Sequence, residues 1–456
     1  MEKYKRVLVF SHNAFSATQN NGKTLEAFFS NWPKNSLAQL YLQPESPDFN
    51  FCEKYFRITD YDVINNIIIG RPPGQIINNQ NSEADLIATL SPIVKKLYSD
   101  RRDGTERKSF NRHIHKAFVN RIPFFVLLRD LIWARANWKT NSLRKWLMEF
   151  APDVLFFQGS SALFGYEIAL WICHELQIPL VLQLTDDYTS NLYPWSLIEK
   201  FNKSKYKQIF SKAISISSRV IVISHYMADE YKKIYDGRYN ILMNSVEQKI
   251  SIKEKALTDD IKLVYAGNIF INRWKILKKI GIALTKLNLE NKFQCRLMIY
   301  TPTLISKELE SDLLAAGSIT YGGTLNQEEL ALAIQDATIL VHVEAFDTRM
   351  KKITKLSIST KIPEYMASRR CIFAVGPNDV ASIRYLSENN LGQVATTDDI
   401  EVIKQKLGEI LTNFKLRNQF SATSYTAFLH NHQLTKTQQS ISEIIQDAEF
   451  SDSSRK

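Results

Sequence analysis

Short apolar runs alternate with polar loops and amphipathic segments through the first half of the chain. Strands buried on both faces of a parallel sheet read as continuous apolar runs, whereas helices show apolar positions at helical spacing. Strands are predicted at 6–11, 153–158, 179–184 and 219–224, and helices at 25–29 and 164–176. This alternation predicts a doubly wound α/β domain with a parallel sheet.

The alternation begins again after a polar stretch at 247–260. Strands are predicted at 262–267, 296–300, 338–343 and 371–375, and helices at 274–287, 328–335 and 362–367. A chain of 456 residues is also too long for one ordinary core. We therefore expect an α/β fold of two Rossmann-like, doubly wound domains that face each other across a cleft.

The same patterns suggest the domain bounds. We expect an N-terminal domain over 1–246, with a basic helical insertion at about 70–150, then a linker over 247–260 and a C-terminal domain over 261–425. A C-terminal helix over 426–450 is expected to return to the first domain. Residues 451–456 are expected to form a disordered tail.

The composition is typical of a globular protein, with 45% hydrophobic and 23% charged residues. No apolar run approaches the roughly 18 residues that a membrane-spanning helix needs. The four cysteines are scattered, and none stands near a histidine with metal-ligand spacing. We expect a cytoplasmic protein with buried thiols and no metal site.

Positive charge is concentrated in one segment. The net charge is +11, and residues 101–150 carry +8 of it, with twelve Lys and Arg against four Asp and Glu. Such a block indicates an anionic partner, either a membrane surface, a nucleic acid or a phosphorylated substrate, or else a solvated helical face. Leu127, Leu128, Leu131 and Ile132 keep helical spacing, which argues against a nucleic-acid stacking surface.

Two segments of the first half carry candidate chemistry. Asn21, Gly22 and Lys23 follow the first strand and form a glycine loop, whose backbone could approach a ligand or make an ordinary turn. Ala17 stands where a phosphate loop needs glycine, so the P-loop pattern is incomplete. The acidic pair at 60 and 62 could hold a metal, but a surface turn is the preferred interpretation.

The second half holds more specific motifs. Gly267 and Asn268 end a strand, and Arg273 follows, so a phosphate could reach the backbone and meet a bidentate cation. A second motif lies before the strand at 371–375 and comprises Ser359, Thr360, Lys361 and Glu364.

In their order and residue types, these segments resemble the second domain of the GT-B-fold glycosyltransferases of family 4. That group includes glycogen-synthase-like and bacterial polysaccharide transferases. The resemblance implies that Gly267 and the basic residues Arg273 and Lys361 contact the diphosphate of a nucleotide-sugar donor. It also implies that Glu364 binds the ribose hydroxyls. Asn268, Ser359 and Thr360 would complete the donor site.

The chain departs from the family pattern at two places. Leu356 stands where the family has the first of its two glutamates, and Glu344 or Asp347 could serve instead. Asp186 and Asp187 stand where many members have a His-Asp pair. On the resemblance, the catalytic candidates are Asp186, Asp187, Arg273 and Lys361.

The resemblance implies transfer of a sugar from a nucleotide-diphosphate donor to an acceptor, which could be a polysaccharide, a glycolipid or other lipid-linked molecule, or a protein. It also implies a role in cell-envelope or surface glycan synthesis. No metal or cofactor is expected, and retention of configuration is favoured over inversion. The basic block would attach the protein peripherally to the anionic inner face of the membrane. The alternatives are a non-catalytic nucleic-acid or nucleotide-sugar binder and a GT-B-fold sugar epimerase.

Overall fold

The computed structural model divides into two compact units. Unit 1 comprises Met1–Val222, Ala228–Leu242 and Gln438–Lys456, and unit 2 comprises Ile223–Met227 and Met243–Thr437. The structure describes residues 4–16, 20–79, 123–189, 196–247, 261–291 and 293–450, with the backbone alone at 20, 21 and 23. The predicted tail, most of the linker and the basic residues at 101–122 lie outside the described residues.

The described residues of unit 1 form an eight-stranded sheet. Its strands are β1 (Val7–Ser11), β2 (Leu37–Tyr41), β3 (Lys54–Arg57), β4 (Gln75–Ile77), β5 (Val154–Gln158), β6 (Leu180–Leu184), β7 (Ser217–Val222) and β8 (Tyr239–Ile241). The order is β4-β3-β2-β1-β5-β6-β7-β8, and every neighbouring pair is parallel except β3 and β4. The chain builds outward from β1 in one direction and then in the other, as in a doubly wound sheet.

The helices of the first part of the chain connect these strands. They are α1 (Asn20–Phe29), α2 (Asp60–Ile69), α3 (Pro123–Arg135), α4 (Asn141–Phe150), α5 (Leu163–Leu176), α6 (Leu197–Ile216) and α7 (His225–Lys232), with a 3₁₀ turn at Lys34–Ser36. The C-terminal segment also belongs to the core of unit 1. Ile441 and Ile445 are fully buried there, and Lys5 Nζ donates to the carbonyl of Ala448 at 2.8 Å.

Unit 2 contains a six-stranded sheet in which all neighbouring strands are parallel. Its strands are β9 (Lys262–Ala266), β10 (Arg296–Tyr300), β11 (Ile319–Gly323), β12 (Ile339–Val343), β13 (Cys371–Val375) and β14 (Gln393–Ala395). The order is β11-β10-β9-β12-β13-β14. The winding direction therefore reverses between β9 and β12, which makes their carboxyl ends a topological switch point.

The described helices of the second part pack on this sheet or extend beyond it. They are α8 (Arg273–Asn291), α9 (Lys307–Leu314), α10 (Gln327–Asp336), α11 (Thr348–Thr354), α12 (Lys361–Ala367), α13 (Ala381–Glu388), α14 (Ile400–Thr412), α15 (Phe414–Asn431) and α16 (Leu434–Gln446). Helix α8 supplies the fully buried Leu277, Ile280 and Leu284 to a core shared with α14. Apolar spacing of this kind is what fixes a helix against a sheet.

Three local differences from the sequence prediction have physical causes. Helix α1 begins at Asn20, so Asn21, Gly22 and Lys23 lie in its first turns and not in a loop. A Cβ at Gly22 would lie 2.3 Å from the carbonyl oxygen of Ala14, so close packing of helix and chain requires glycine there. The acidic pair lies in the first turn of α2 and not in a surface turn, because Thr59 and Asp62 form a capping box.

The third difference is at the C-terminus, where two helices replace the single helix predicted over 426–450. His432 interrupts the helical run and is fully buried. Its Nδ1 lies 2.7 Å from the carbonyl oxygen of Asn244, and its Nε2 lies 2.9 Å from the hydroxyl of Tyr385. Burial lowers the pKa of His432 to about 4, so the ring is neutral near pH 7.

Candidate functional site

The switch point of unit 2 brings two motifs to the same edge of the sheet. Gly267 directly follows β9, and Glu344 directly follows the neighbouring strand β12. Because parallel strands end at a common edge, residues from distant parts of the sequence meet there, and ligands of open α/β sheets bind at such points. Arg273 begins α8, six residues after Gly267.

The loop between Gly267 and Arg273 has an unusual backbone. Ile271 and Asn272 are not glycines, yet both adopt left-handed conformations, with φ of 54° and 62°. A β-branched residue in this region is strained by about 1–3 kcal/mol and persists only where its surroundings fix it. The side chain of Asn268 helps to fix the loop, since its Oδ1 accepts from the backbone N–H of Phe270 at 2.6 Å.

Arg273 and Glu344 form an ion pair across the switch point. Arg273 Nη2 donates to both carboxylate oxygens, at 2.9 and 3.0 Å, and the Glu344 side chain is only 1% exposed. Burial opposes ionisation of Glu344, but the charges and hydrogen bonds of Arg273 and His342 together outweigh it and hold the pKa of Glu344 below its usual value. The other candidate first carboxylate, Asp347, instead caps α11 by accepting from two backbone N–H groups.

Two residues around this pair were missed by sequence reasoning. His342 lies two positions before Glu344 in the extended chain, and its Nε2 is 3.3 Å from Glu344 Oε1. Alternation along a strand places both on one face, and this is the signal that could have found His342. Gly376 follows β13, and a Cβ there would lie 2.8 Å from Glu344 Cβ. Glycine at 376 therefore makes room for the buried carboxylate.

The second motif of the second half lies at α12. Lys361 Nζ donates to Glu364 Oε2 at 2.8 Å, and the two side chains are 28% and 27% exposed. The next residue, Tyr365, is buried, and its hydroxyl accepts from the backbone N–H of Ala266 at 3.0 Å. This bond ties α12 to the end of β9, next to Gly267. Ser359 N donates to Ser382 Oγ at 3.0 Å, and Thr360 is the exposed N-cap of the helix.

In unit 1, the two catalytic candidates after β6 differ in their surroundings. Asp186 is exposed, whereas Asp187 is partly buried. Asp187 Oδ1 accepts from the backbone N–H of Thr189 at 2.9 Å and from the hydroxyl of Tyr231 at 3.2 Å. The side chain of Asp187 thus stabilises the turn that carries Asp186.

A polar cluster at the switch point of the first sheet was also missed. His12 follows β1, and its Nδ1 is enclosed with no hydrogen-bond partner among the described residues. Asp60 Oδ1 accepts from Arg129 Nε at 3.0 Å and from Trp133 Nε1 at 2.7 Å. Burial, reinforced by the charge of Arg129, lowers the pKa of His12 to about 4. Arg129 and Trp133 lie on α3, far from Asp60 in the sequence. No local sequence pattern links this helix to Asp60.

A search of the described residues for metal-ligand groups finds no cluster of three or more His, Cys, Asp or Glu side chains. Of the acidic pair at the start of α2, Asp62 is used in the capping box and Asp60 in the ion pair with Arg129. All four cysteines are buried, and none of them forms a disulfide.

Comparison with solved structures identifies the class of fold. The chain is similar to Anabaena HepE in complex with UDP and glucose, with a TM-score of 0.56 and 10% identity over 97% of this chain and 100% of that chain. It is similar to sucrose-phosphate synthase from Thermosynechococcus elongatus, with a TM-score of 0.56 and 10% identity over 97% of this chain and 98% of that chain. It is also similar to the α,α-trehalose-phosphate synthase of Burkholderia xenovorans, with a TM-score of 0.57 and 7% identity over 96% of this chain and 100% of that chain.

These similarities confirm the predicted fold, that of the GT-B glycosyltransferases. Within the chain, residues 96–246 match the family model described as Glycosyltransferase Family 4, which confirms the family resemblance and ends before the motifs at 267–364. No curated protein sequence matches the chain.

Proposed function

We propose that this protein is a glycosyltransferase that moves a sugar from a nucleotide-diphosphate donor to a glycan, lipid-linked or protein acceptor. The observation that carries the proposal is the pairing of Arg273 with Glu344 at the switch point of unit 2. The Lys361–Glu364 pair on α12, tied to the same sheet edge through Tyr365, supports it. The GT-B fold and the match over 96–246 supply the reaction class.

The chemistry follows from the charges. A nucleoside diphosphate leaves with negative charge on its phosphate oxygens, and preorganised cations stabilise that charge as the glycosidic bond breaks. Arg273 and Lys361 would do this, and the N-terminus of α8, where Arg273 lies, adds backbone N–H donors. Glu364 would accept ribose hydroxyls. Asp186 would lie on the acceptor side.

With two cations in this role, we propose that catalysis needs neither a divalent metal nor a further cofactor. Retention of the anomeric configuration is proposed on the family resemblance. Turnover in the presence of EDTA tests metal independence and should persist. The coupling between H1 and H2 of the transferred sugar tests retention and should be the same in product and donor. We also propose a cytoplasmic location and a role in polysaccharide biosynthesis.

A thermal-shift screen tests the donor proposal first. Nucleotide sugars based on UDP, GDP, ADP and dTDP would each be added to the protein, and one is expected to raise the midpoint of unfolding. A ligand at about 100 times its Kd adds about 2.7 kcal/mol to the stability of the folded state. The matching free sugar is the control and should give no shift. A protein that responds to none of the nucleotides would not fit the proposal.

A peripheral membrane role is the second part of the proposal. Among the described residues, no helix is long and apolar enough to cross a membrane. Helices α3 and α6 pack against each other and leave large apolar side chains exposed. Leu197 is 80% exposed, Phe201 is 50% exposed, and Lys205 Nζ lies 4.7 Å from the centre of the Phe201 ring. Apolar side chains among lysines suit the surface of an anionic bilayer.

Liposome flotation tests this role. The wild type is expected to float with anionic vesicles at low salt and to be released by high salt, because exposed charges are screened. A variant with six basic residues changed to Ser should not float; these are Arg101, Arg102, Arg107, Lys108, Arg112 and Lys116. Vesicles without anionic lipid are the control. A wild type that never floats would leave a soluble or protein acceptor as the better proposal.

A further inference from the structure

The carboxylate of Glu344 is enclosed by the protein. Both of its oxygens accept from the same nitrogen of Arg273, and the side chain is 1% exposed against 18% for Arg273. A donor sugar could reach this carboxylate only by displacing the arginine. The more exposed member of the pair is the one that can meet a ligand.

We propose that Glu344 is a positioning residue, which orients the guanidinium of Arg273 toward the donor diphosphate and does not itself bind the donor. This inference rests on the proposed function and gives the first carboxylate of the motif a different role from that of a donor ligand. The inference concerns this chain alone, because Leu356 stands where the family has a glutamate.

The guanidinium retains unused hydrogen-bond donors in this arrangement. Only Nη2 bonds to Glu344, while Nε is enclosed and has no hydrogen-bond partner in the part of the chain that the structure describes. Buried polar groups are rarely left without partners in native proteins. The Arg273 side chain is 18% exposed, so a guanidinium fixed through Nη2 can meet phosphate oxygens through the part that the protein leaves open.

Glu344 is itself held by three nearby residues. Its backbone N–H donates to the carbonyl of Val375 at 2.9 Å, and its Cβ fits against Gly376 because that residue has none. His342 Nε2 lies 3.3 Å from the carboxylate on its other side. The carboxylate is therefore part of the rigid sheet edge, and the strained loop before Arg273 positions the arginine backbone. Both ends of the arginine side chain are thus fixed.

The expected benefit is preorganisation. A long arginine side chain loses rotamer freedom when it binds a ligand, and a side chain that is already ordered avoids most of that loss. We expect Glu344→Gln to weaken nucleoside diphosphate binding by about tenfold. The effect should vanish when Arg273 is absent, because Glu344 would then have nothing to position.

A double-mutant cycle measures this dependence. Wild type, Glu344→Gln, Arg273→Ala and the double variant would be titrated calorimetrically with UDP, GDP, ADP and dTDP, below the onset of unfolding for each variant. We expect the tenfold loss on Glu344→Gln in the presence of Arg273, and a change within twofold in its absence. A residue with a purely structural role would weaken binding in both backgrounds.

Gly376→Ala provides a second route that alters no charge. Its new Cβ would lie 2.8 Å from both Glu344 Cβ and Ile383 Cγ1, so Glu344 and Ile383 must shift to admit it, and the same loss of affinity is expected from the displaced carboxylate. Gly408→Ala is the matched control, because a Cβ there meets only Leu287 Cδ2 at 3.2 Å and binding should be unchanged.

The outcomes separate the two claims. If the wild type binds a nucleoside diphosphate but Glu344→Gln weakens binding equally in both backgrounds, or leaves it unchanged or tighter, the positioning role is overturned and the proposed function stands. If the wild type binds none of the four nucleotides, the proposed function is overturned and the positioning role with it.

Discussion

Replacing Arg273 by alanine is expected to lower the free energy of unfolding by about 3–5 kcal/mol, because it leaves the buried Glu344 carboxylate without a counter-charge. Glu344 is only 1% exposed, and its other close polar neighbour, His342 Nε2, is 3.3 Å away. Urea denaturation at pH 7 measures the loss. Sequence motifs alone would predict an effect on donor binding, whereas the ion pair adds a large effect on stability.

The pH dependence of this loss identifies its cause. In the wild type, the charge of Arg273 holds the pKa of Glu344 below its usual value, so the pair stabilises the fold above that usual value and is lost as the pH falls through the lowered pKa. In the variant, burial still opposes ionisation and His342 is the neighbour left to favour the charged form, so the pKa of Glu344 rises relative to the wild type. The variant's deficit should therefore be largest near neutral pH and shrink as the pH falls through the raised pKa.

Lys361→Ala is the control for this prediction. The Lys361–Glu364 pair is 28% and 27% exposed and spans one helical turn, so its loss should cost at most about 1 kcal/mol. If Arg273→Ala costs no more than Lys361→Ala, or if its deficit is independent of pH, the buried pair does not contribute as described.

Replacing Glu364 by alanine is expected to leave the fold intact and to weaken donor binding at least about tenfold. A carboxylate that accepts ribose hydroxyls makes charge-assisted hydrogen bonds of about 1.5–3 kcal/mol each. The fold should survive because Glu364 is partly exposed, while the neighbouring Tyr365 provides the buried bond to β9. Calorimetric titration with the nucleotide sugar selected by the thermal-shift screen gives the affinity.

Glu409→Ala is a matched control in the same unit. Glu409 pairs with Lys406 at the same spacing of three residues, and the two side chains are 38% and 37% exposed. This variant should bind the donor like the wild type. An affinity of Glu364→Ala within twofold of wild type would contradict the assignment of Glu364 to the ribose.

The sequence predicted those parts of the fold in which apolar patterning dominates. The strands Arg296–Tyr300 and Cys371–Val375 have the bounds predicted for them, because both are short, mainly apolar runs in a parallel sheet, the second buried throughout and the first at alternate positions. Strand Leu37–Tyr41 escaped notice because Gln39 interrupts its apolar run. The structure buries Gln39 by bonding its side chain to the backbone N–H of Phe15, a tertiary contact that no local pattern reveals.

The sequence predicted which residues belong to the candidate site better than it predicted how they are arranged. Arg273 and Glu344 are separated by 71 residues, and they meet only because the sheet order places β9 beside β12. The motifs pointed to both residues but not to their pairing. In unit 1, Asp60 and Arg129 are 69 residues apart with no shared motif, so that cluster had to come from the structure.

The most direct test of the central claim is to follow both products of sugar transfer in one reaction. The protein would be incubated with the donor selected by the screen, labelled in its sugar, and with a bacterial envelope fraction as the source of acceptor. We expect nucleoside diphosphate release to match the label incorporated into the acceptor fraction, and at a donor concentration below the wild-type Kd both should fall about tenfold in Glu364→Ala but stay unchanged in Glu409→Ala. If the labelled sugar is only epimerised, or if no donor is consumed, the protein is not a glycosyltransferase.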